Sequence, residues 1–177
     1  YQTHQLEGVA KIAGATTILL NDCSASITFV GPGSSATTSA TDSGIGGLTT
    51  CQDLAIGTAG VSLNVESPDS GATSIAAGTY IAWVWVGKLL SGVAPEMYIW
   101  GSLVGGTQLS LRKDADNADF QVLKGLNYLT SACSHVALEY RTNGVAACTI
   151  RMAGYAVMGF TDKQEALNWL NSTVFPT

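Results

Sequence analysis

Short segments with the residue pattern of β-strands recur along this 177-residue chain, with turn residues between them. Residues 61–66 alternate apolar and polar side chains, as a strand with one buried face does. Residues 78–87 form the strongest predicted strand because they are rich in β-branched and aromatic side chains. About ten such strands, joined by turns, predict an all-β fold, an antiparallel β-sandwich or jelly roll.

The other predicted strands vary in strength along the chain. An Asn143-Gly144 pair stands between the last two of them and is a strong signal for a tight type I′ hairpin. We therefore expect those two strands to be neighbours in a sheet. The strands lie at residues 9–14, 16–20, 26–30, 54–56, 97–100, 108–112, 120–123, 134–140 and 146–157.

Two segments depart from the strand pattern. Residues 33–50 consist almost entirely of Ser, Thr, Ala and Gly, a composition that predicts a long surface loop. Residues 161–164, Thr-Asp-Lys-Gln, match a capping box with Thr161 at the N-cap, and an apolar stripe follows them. This pattern predicts a short C-terminal helix near residues 162–171.

The length of the chain fits one domain. We assign residues 1–22 to an N-terminal arm or the first strands, and residues 23–177 to a single β-sandwich domain. Because the chain starts at Tyr1 rather than Met, we expect it to be processed or to be part of a longer product.

Charged residues are scarce for a chain without a membrane span. They make up 12% of the residues, whereas an ordinary domain is about one quarter charged. Such a surface is poorly protected against self-association, so we predict that copies of the chain or partner proteins cover much of it. The net charge of −5 argues against nucleic acid as a partner. The apolar stretch at residues 75–87 is too short for a transmembrane helix.

One acidic segment has the residue types of a cation site. Carboxylate and amide oxygens of this kind suit Ca²⁺, but the glycine and the distal glutamate of an EF-hand loop are absent. A solvated acidic loop is the favoured interpretation and a structural Ca²⁺ site is the alternative; no other cofactor is expected. The candidate ligands are Asp114, Asp116, Asn117 and Asp119.

A glycine-rich segment imitates a dinucleotide-binding fingerprint. Gly31, Gly33 and Ala36 follow a predicted strand with the G-x-G-x-x-A spacing, and Asp53 lies near the offset of a ribose-binding acid. The mechanism requires a helix that starts at the glycines, and the residues that follow are poor helix formers. We therefore favour a plain glycine turn.

The candidates for catalysis are weak. Cys133 and His135 would share one face of a strand, but the sequence around them matches no nucleophile motif. Glu66, Glu96 and Glu139 could supply a glycosidase-type carboxylate pair, which requires a separation that the sequence does not show. We predict no catalytic residues and no enzymatic activity.

The cysteines show no zinc-binding spacing. Cys23, Cys51, Cys133 and Cys148 permit three disulfide pairings, but a core of this size needs no cross-links. We expect buried thiols.

Four aromatic residues are candidates for stacking against a sugar ring. Trp83 and Trp85 lie on one face of the strongest predicted strand, and Tyr98 and Trp100 lie in the next. Packing in the core or at a subunit interface is the favoured alternative for such side chains.

Three segments resemble the C-terminal jelly-roll heads of bacteriophage fibre and spike proteins. They are Ala-Gly-Thr-Tyr-Ile-Ala-Trp-Val at residues 77–84, Met-Tyr-Ile-Trp at 97–100 and Ala-Gly-Tyr-Ala-Val-Met-Gly-Phe at 153–160. The resemblance implies a homotrimeric protein on the surface of a virion that contacts host glycans or decorates the shell.

Composition, pattern and resemblance together predict a virion structural protein. We expect an extracellular, oligomeric fibre, spike or capsid-decoration subunit of a bacteriophage, with itself and other virion proteins as partners and a host glycan as a further ligand. The alternative is a carbohydrate-binding module or lectin, and a glycan hydrolase is the third hypothesis.

Overall fold

Two antiparallel sheets and one helix are built from the residues that the computed structural model describes, which are 15–21, 23, 34–39, 43–45, 48–57, 64–66, 75–100, 106–108, 120–133, 137–141 and 147–172. The strands and the helix are β1 (Ala15–Asn21), β2 (Ser34–Ser39), β3 (Cys51–Ile56), β4 (Asn64–Glu66), β5 (Tyr80–Gly92), β6 (Glu96–Trp100), β7 (Gly106–Gln108), β8 (Gln121–Tyr128), β9 (Ala137–Arg141), β10 (Cys148–Phe160) and α1 (Lys163–Ser172). Sheet A has the order β2-β3-β10-β5-β8, and β1 also pairs with β10. Sheet B has the order β4-β9-β6-β7.

Strand β10 holds sheet A together. Along one edge it pairs with β5 from Cys148 to Phe160. Along the other edge it pairs first with β3, through residues 148–152, and then with β1, through residues 155–160. One long strand therefore joins three others.

Sheet A is buried on both faces. One face meets sheet B in the sandwich core, which includes Trp83 and Trp85 of β5 and Tyr140 of β9. The other face packs against α1 in the helix core, which includes Val84 of β5 and Trp169 of α1. Burial on both faces explains why the sequences of β5 and β10 are almost continuously apolar instead of alternating.

A β-bulge at Ala153 keeps the two faces of β10 apolar. Met152 lies opposite Gly87 of β5 and Gly154 lies opposite the adjacent Val86, so Ala153 is an extra residue in β10. Before the bulge, even-numbered residues of β10 face the sandwich core; after it, odd-numbered residues such as Tyr155 do. A shift of one residue exchanges the two faces of a strand. The bulge therefore changes which residues of β10, even-numbered or odd-numbered, face the sandwich core.

The predicted C-terminal helix is present, but its cap differs from the prediction. Asp162 Oδ1 accepts a hydrogen bond from the backbone N–H of Glu165 (2.9 Å), which makes Asp162, not Thr161, the N-cap. At the other end, Lys124 Nζ donates to the carbonyl of Leu170 (2.7 Å) and ties the helix to β8. No helix in the described ranges is long and apolar enough to cross a membrane.

The surface loop predicted at residues 33–50 is only partly a loop. Residues 34–39 form β2, which pairs antiparallel with β3 along its whole length. Beyond it, Ser43 and Leu48 share a backbone hydrogen bond (2.9 Å), and Ile45 and Leu48 are buried in the helix core. Thr favours strands because it is β-branched, and the edge of β3 satisfies backbone groups of β2.

The predicted hairpin between the last two strands is wrong. β9 pairs with β4 and β6 in sheet B, whereas β10 pairs with β1, β3 and β5 in sheet A. A turn signal reports local backbone preference only, and here the flanking strands belong to opposite sheets.

The remaining strand predictions have mixed outcomes. Those at residues 16–20, 54–56, 78–87, 97–100, 120–123 and 146–157 are confirmed in β1, β3, β5, β6, β8 and β10. Those at 61–66, 108–112 and 134–140 overlap β4, β7 and β9 in part. Those at 9–14 and 26–30 lie outside the described residues. The fold is the predicted antiparallel β-sandwich with one short helix.

Two glycines make room for the indole rings of the sandwich core. Gly125 of β8 lies directly opposite Trp83 of β5, and a Cβ at position 125 would overlap the Trp83 ring. A Cβ at Gly87 would lie 2.5 Å from Cη2 of Trp85 and 2.6 Å from the carbonyl oxygen of Arg151. Each indole ring therefore packs closely over a residue without a side chain.

Gly125→Ala should destabilise the fold because its methyl group would displace the Trp83 ring. We expect the free energy of unfolding to fall by about 1–3 kcal/mol in urea denaturation, with an unchanged slope. The control is the same substitution in a Trp83→Phe background, where the smaller ring leaves room and the loss should shrink. Equal losses in the two backgrounds would contradict the close packing.

Candidate functional site

Two of the four predicted stacking residues belong to the sandwich core. The side chains of Trp83 and Trp85 are 2% and 0% exposed, so neither indole offers a face to a ligand in this structure. Trp85 Nε1 donates a hydrogen bond to Tyr140 Oη (2.7 Å), which links the two sheets. Burial raises the pKa of the Tyr140 hydroxyl well above its ordinary value, so this acceptor stays protonated. Core packing, the favoured alternative, is what the structure shows for these two residues.

The other two predicted stacking residues occupy a different place. Tyr98 of β6 lies opposite Glu139 of β9, and Trp100 lies opposite Ala137. The role of Tyr98 and Trp100 in stacking stays a prediction.

The register brings two of the three candidate glutamates together. Glu66 of β4 lies directly opposite Glu139 of β9, whereas Glu96 of β6 lies opposite Arg141. Residues directly opposite each other in an antiparallel pair have Cβ atoms about 4.5–5.5 Å apart. Glu66 and Glu139 are therefore directly opposite each other, and the carboxylate-pair hypothesis stays a prediction.

An exposed tyrosine pair lies at one end of sheet A, where the sequence indicated no site. Tyr80 opens β5 and lies directly opposite Tyr128, which ends β8. Their ring centroids are 4.8 Å apart, and the planes are tilted by 45°. Tyr128 is 54% exposed, while Tyr80 is half-buried and packs against the helix core. Only the pairing of β5 with β8 brings these rings together.

The backbone around the tyrosine pair is held by hydrogen bonds. Residues 75–80 and 128–133 form two antiparallel segments, here called the tyrosine rim. Ile75 and Cys133 exchange two backbone hydrogen bonds (2.7 and 2.9 Å). Gly78 N–H donates to the carbonyl of Leu129 (2.8 Å), and Leu129 N–H donates to the carbonyl of Thr79 (2.9 Å). Such a ladder fixes the position of the rings relative to the sheet.

The tyrosine rim carries no charged residue. Its two segments read Ile-Ala-Ala-Gly-Thr-Tyr and Tyr-Leu-Thr-Ser-Ala-Cys. Ile75, Leu129 and Cys133 are buried beneath it, whereas Thr130 and Ser131 are exposed beside Tyr128. An exposed aromatic ring next to hydroxyl groups suits binding of a neutral polar ligand.

The nucleotide-binding interpretation of Asp53 is excluded by the structure. Arg151 binds Asp53 through two charged hydrogen bonds, Nε to Oδ1 (2.6 Å) and Nη2 to Oδ2 (2.7 Å), between β10 and β3. These bonds are the main reason that the pKa of Arg151 is raised. Residues 34–36 lie in β2, so no helix starts at the glycines.

The predicted cation ligands, Asp114, Asp116, Asn117 and Asp119, lie outside the described residues. Within the described residues, no group of three or more His, Cys, Asp or Glu is arranged to hold a metal ion.

All four cysteines are buried thiols, as the sequence led us to expect. Burial raises the pKa of Cys148 to about 11, so this thiol is protonated and unreactive at neutral pH. Cys133 lies in the tyrosine rim, and its proposed partner His135 lies outside the described residues. The described residues therefore leave the dyad untested, and the expectation of no catalytic residues stays a prediction.

No protein-family model and no curated protein matches this chain. Its fold is similar to that of solved structures. One is the CBM22-1 xylan-binding domain of Xyn10C from Paenibacillus barcinonensis, with a TM-score of 0.54 and 11% identity over 85% of this chain and 99% of that domain. Another is the tandem CBM22-1-CBM22-2 domain of the same protein, with a TM-score of 0.53 and 11% identity over 86% of this chain and 48% of that one.

A third similar structure is the enzymatically active domain of tailspike protein 4 from bacteriophage CBA120. It has a TM-score of 0.47 and 11% identity, over 88% of this chain and 20% of that one. At such identities the likeness to the xylan-binding domains shows the fold alone. The predicted β-sandwich of jelly-roll type is thereby confirmed.

The raised pKa of Cys148 makes stability depend on pH. Below the ordinary thiol pKa of about 9.0, folded and unfolded states are both protonated; between about 9.0 and 11, only the unfolded thiol ionises, so stability falls. From pH 8 to pH 10.5, wild type should lose about 1–2 kcal/mol more than Cys148→Val in urea denaturation. Tyr140 titrates in both proteins, so the difference isolates Cys148. Parallel pH profiles would contradict a raised pKa.

Proposed function

We propose that this chain is a non-enzymatic structural subunit of a bacteriophage particle. It is a fibre, spike or capsid-decoration protein that self-associates as a homotrimer, contacts other virion proteins and serves assembly or host attachment at the virion surface. The observation that carries the proposal is the weakly charged surface. Among the residues whose exposure the structure describes, Ser, Thr and Ala are frequent on the surface, and the exposed charged residues are Lys124, Asp162 and Lys163.

The edge of sheet A supports self-association. β2 ends the sheet, and β3 is its one strand neighbour among the described residues. Its sequence, Ser-Ser-Ala-Thr-Thr-Ser, contains none of the charged residues or prolines with which edge strands usually block pairing with other chains. An uncharged edge of this kind suits contact between subunits.

The native mass tests this proposal. Light scattering on a size-exclusion column should give three times the mass of the 18.3 kDa chain. If residues 114–119 hold a structural Ca²⁺, a chelator should lower the mass or the thermal stability of the oligomer. A monomer at all concentrations, with or without chelator, would contradict the proposal.

A carbohydrate-binding module is the second candidate function. The exposed Tyr128 ring in an uncharged rim favours it, because aromatic rings pack against the C–H faces of sugars. The fold likeness to a xylan-binding domain supports it as well. In the described part of the chain, the two functions use different surfaces, the β2 edge and the tyrosine rim, and are compatible in a host-attachment protein.

A polysaccharide panel tests the second candidate. The protein should bind at least one neutral polysaccharide in affinity gel electrophoresis and should release no reducing ends from it, since we propose binding without hydrolysis. The control for the third hypothesis is Glu139→Gln. If wild type releases reducing ends and Glu139→Gln does not, the protein is a glycan hydrolase and the hypothesis of a binding module without activity is wrong.

A further inference from the structure

The tyrosine rim is the described surface best suited to a small ligand. We propose that the rim is a glycan-binding site that takes an uncharged pyranose, stacked on Tyr128. This inference rests on the proposed carbohydrate-binding function and names the place and the ligand class.

Tyr128 is held in position before any ligand arrives. Its ring rests against Tyr80, which is anchored in the helix core, while more than half of the Tyr128 side chain stays exposed. A rigid ring loses little conformational entropy on binding, and a tyrosine has only two side-chain torsions to fix. The exposed part of the ring is therefore a preorganised surface for the C–H face of a sugar.

Among the described residues, few atoms crowd the phenol at Gly78. Within that part of the chain, a Cβ built on Gly78 would have the Tyr128 hydroxyl, at 3.9 Å, as its one neighbour within 4 Å. Gly78 has a φ of +85°, which favours glycine and so keeps this position without a side chain. The Thr79 hydroxyl donates to the carbonyl of Ala76 (2.7 Å) and stiffens the turn. A ligand can thus approach the hydroxyl end of Tyr128 over Gly78.

Charge determines the ligand class. Recognition of sulfated or carboxylated sugars draws on Arg or Lys, and the rim contains neither. The one charged residue of β8, Lys124, donates to the helix end at Leu170. With a net charge of −5, the chain also repels anionic polymers. Exposed hydroxyls of Thr130 and Ser131 match the neutral hydroxyls of a pyranose.

A protein partner fits this surface less well than a sugar does. Stable protein interfaces bury about 800 Å² on each partner around an apolar centre. Among the residues whose exposure the structure describes, the large exposed apolar side chains are Tyr128 and Val93, and Val93 follows the opposite end of β5. The apolar surface of a single exposed ring is similar in size to one face of a sugar ring, and is too small for the centre of a protein interface.

Affinity gel electrophoresis with soluble xylan, neutral β-glucan and anionic polygalacturonate tests the site. We expect retardation by at least one neutral polymer and none by polygalacturonate. Tyr128→Ala should weaken binding at least about tenfold, a loss of about 1.4 kcal/mol. Tyr128→Phe should retain most of it. Val93→Ala, a matched truncation of the other exposed apolar side chain, should bind as wild type does, and Trp100→Ala tests the rival stacking position. Thermal unfolding of each variant checks that it is folded.

The possible results distinguish a failure of the tyrosine-rim site from a failure of the carbohydrate-binding function. Retardation that survives in Tyr128→Ala, or that disappears in Trp100→Ala while Tyr128→Ala still binds, overturns the site and leaves the carbohydrate-binding function standing. No retardation of wild type by any neutral polymer overturns both. A folded Tyr128→Ala that fails to oligomerise, with wild type binding no glycan, identifies the rim as a protein interface and overturns the proposal.

Discussion

Burial of both faces of sheet A is the constraint on which the rest of this structure depends. Sheet B covers one face and the C-terminal helix covers the other, so the two central strands, β5 and β10, must present apolar side chains on both sides. The bulge at Ala153 keeps that arrangement intact along a strand of 13 residues. The hydrogen bond between Trp85 and Tyr140 then fixes how sheet B sits on this face.

The parts of the fold that depend on local sequence were predictable. Residues 78–87 and 146–157 are rich in strand-forming side chains, and the helix after residue 162 has a cap and an apolar stripe. What could not be predicted depends on partners distant in the chain. β2 is a strand because β3 has an open edge, and the Asn143-Gly144 signal cannot show that its flanking strands enter different sheets.

The same distinction, between local sequence and partners distant in the chain, explains which candidate site residues could be predicted. Alternation placed Trp83 and Trp85 on one face of a strand, but it could not tell whether that face meets solvent or another sheet. The pairing of β5 with β8 decides this: it sets Trp83 over Gly125 in the interior and brings Tyr80 against Tyr128 at the surface. A single tyrosine at the end of β8 carries no signal of its own. The proposed sugar-binding surface is therefore created by the strand register.

The place of β10 in the chain has a consequence for biosynthesis. β10 is made after β1, β3 and β5, and it is the strand that connects all three. Sheet A therefore cannot close on the ribosome until residues 148–160 have emerged, and contacts of such long sequence separation form slowly. Until then the apolar strands before it expose unpaired edges, the surfaces at which nascent chains aggregate or require a chaperone.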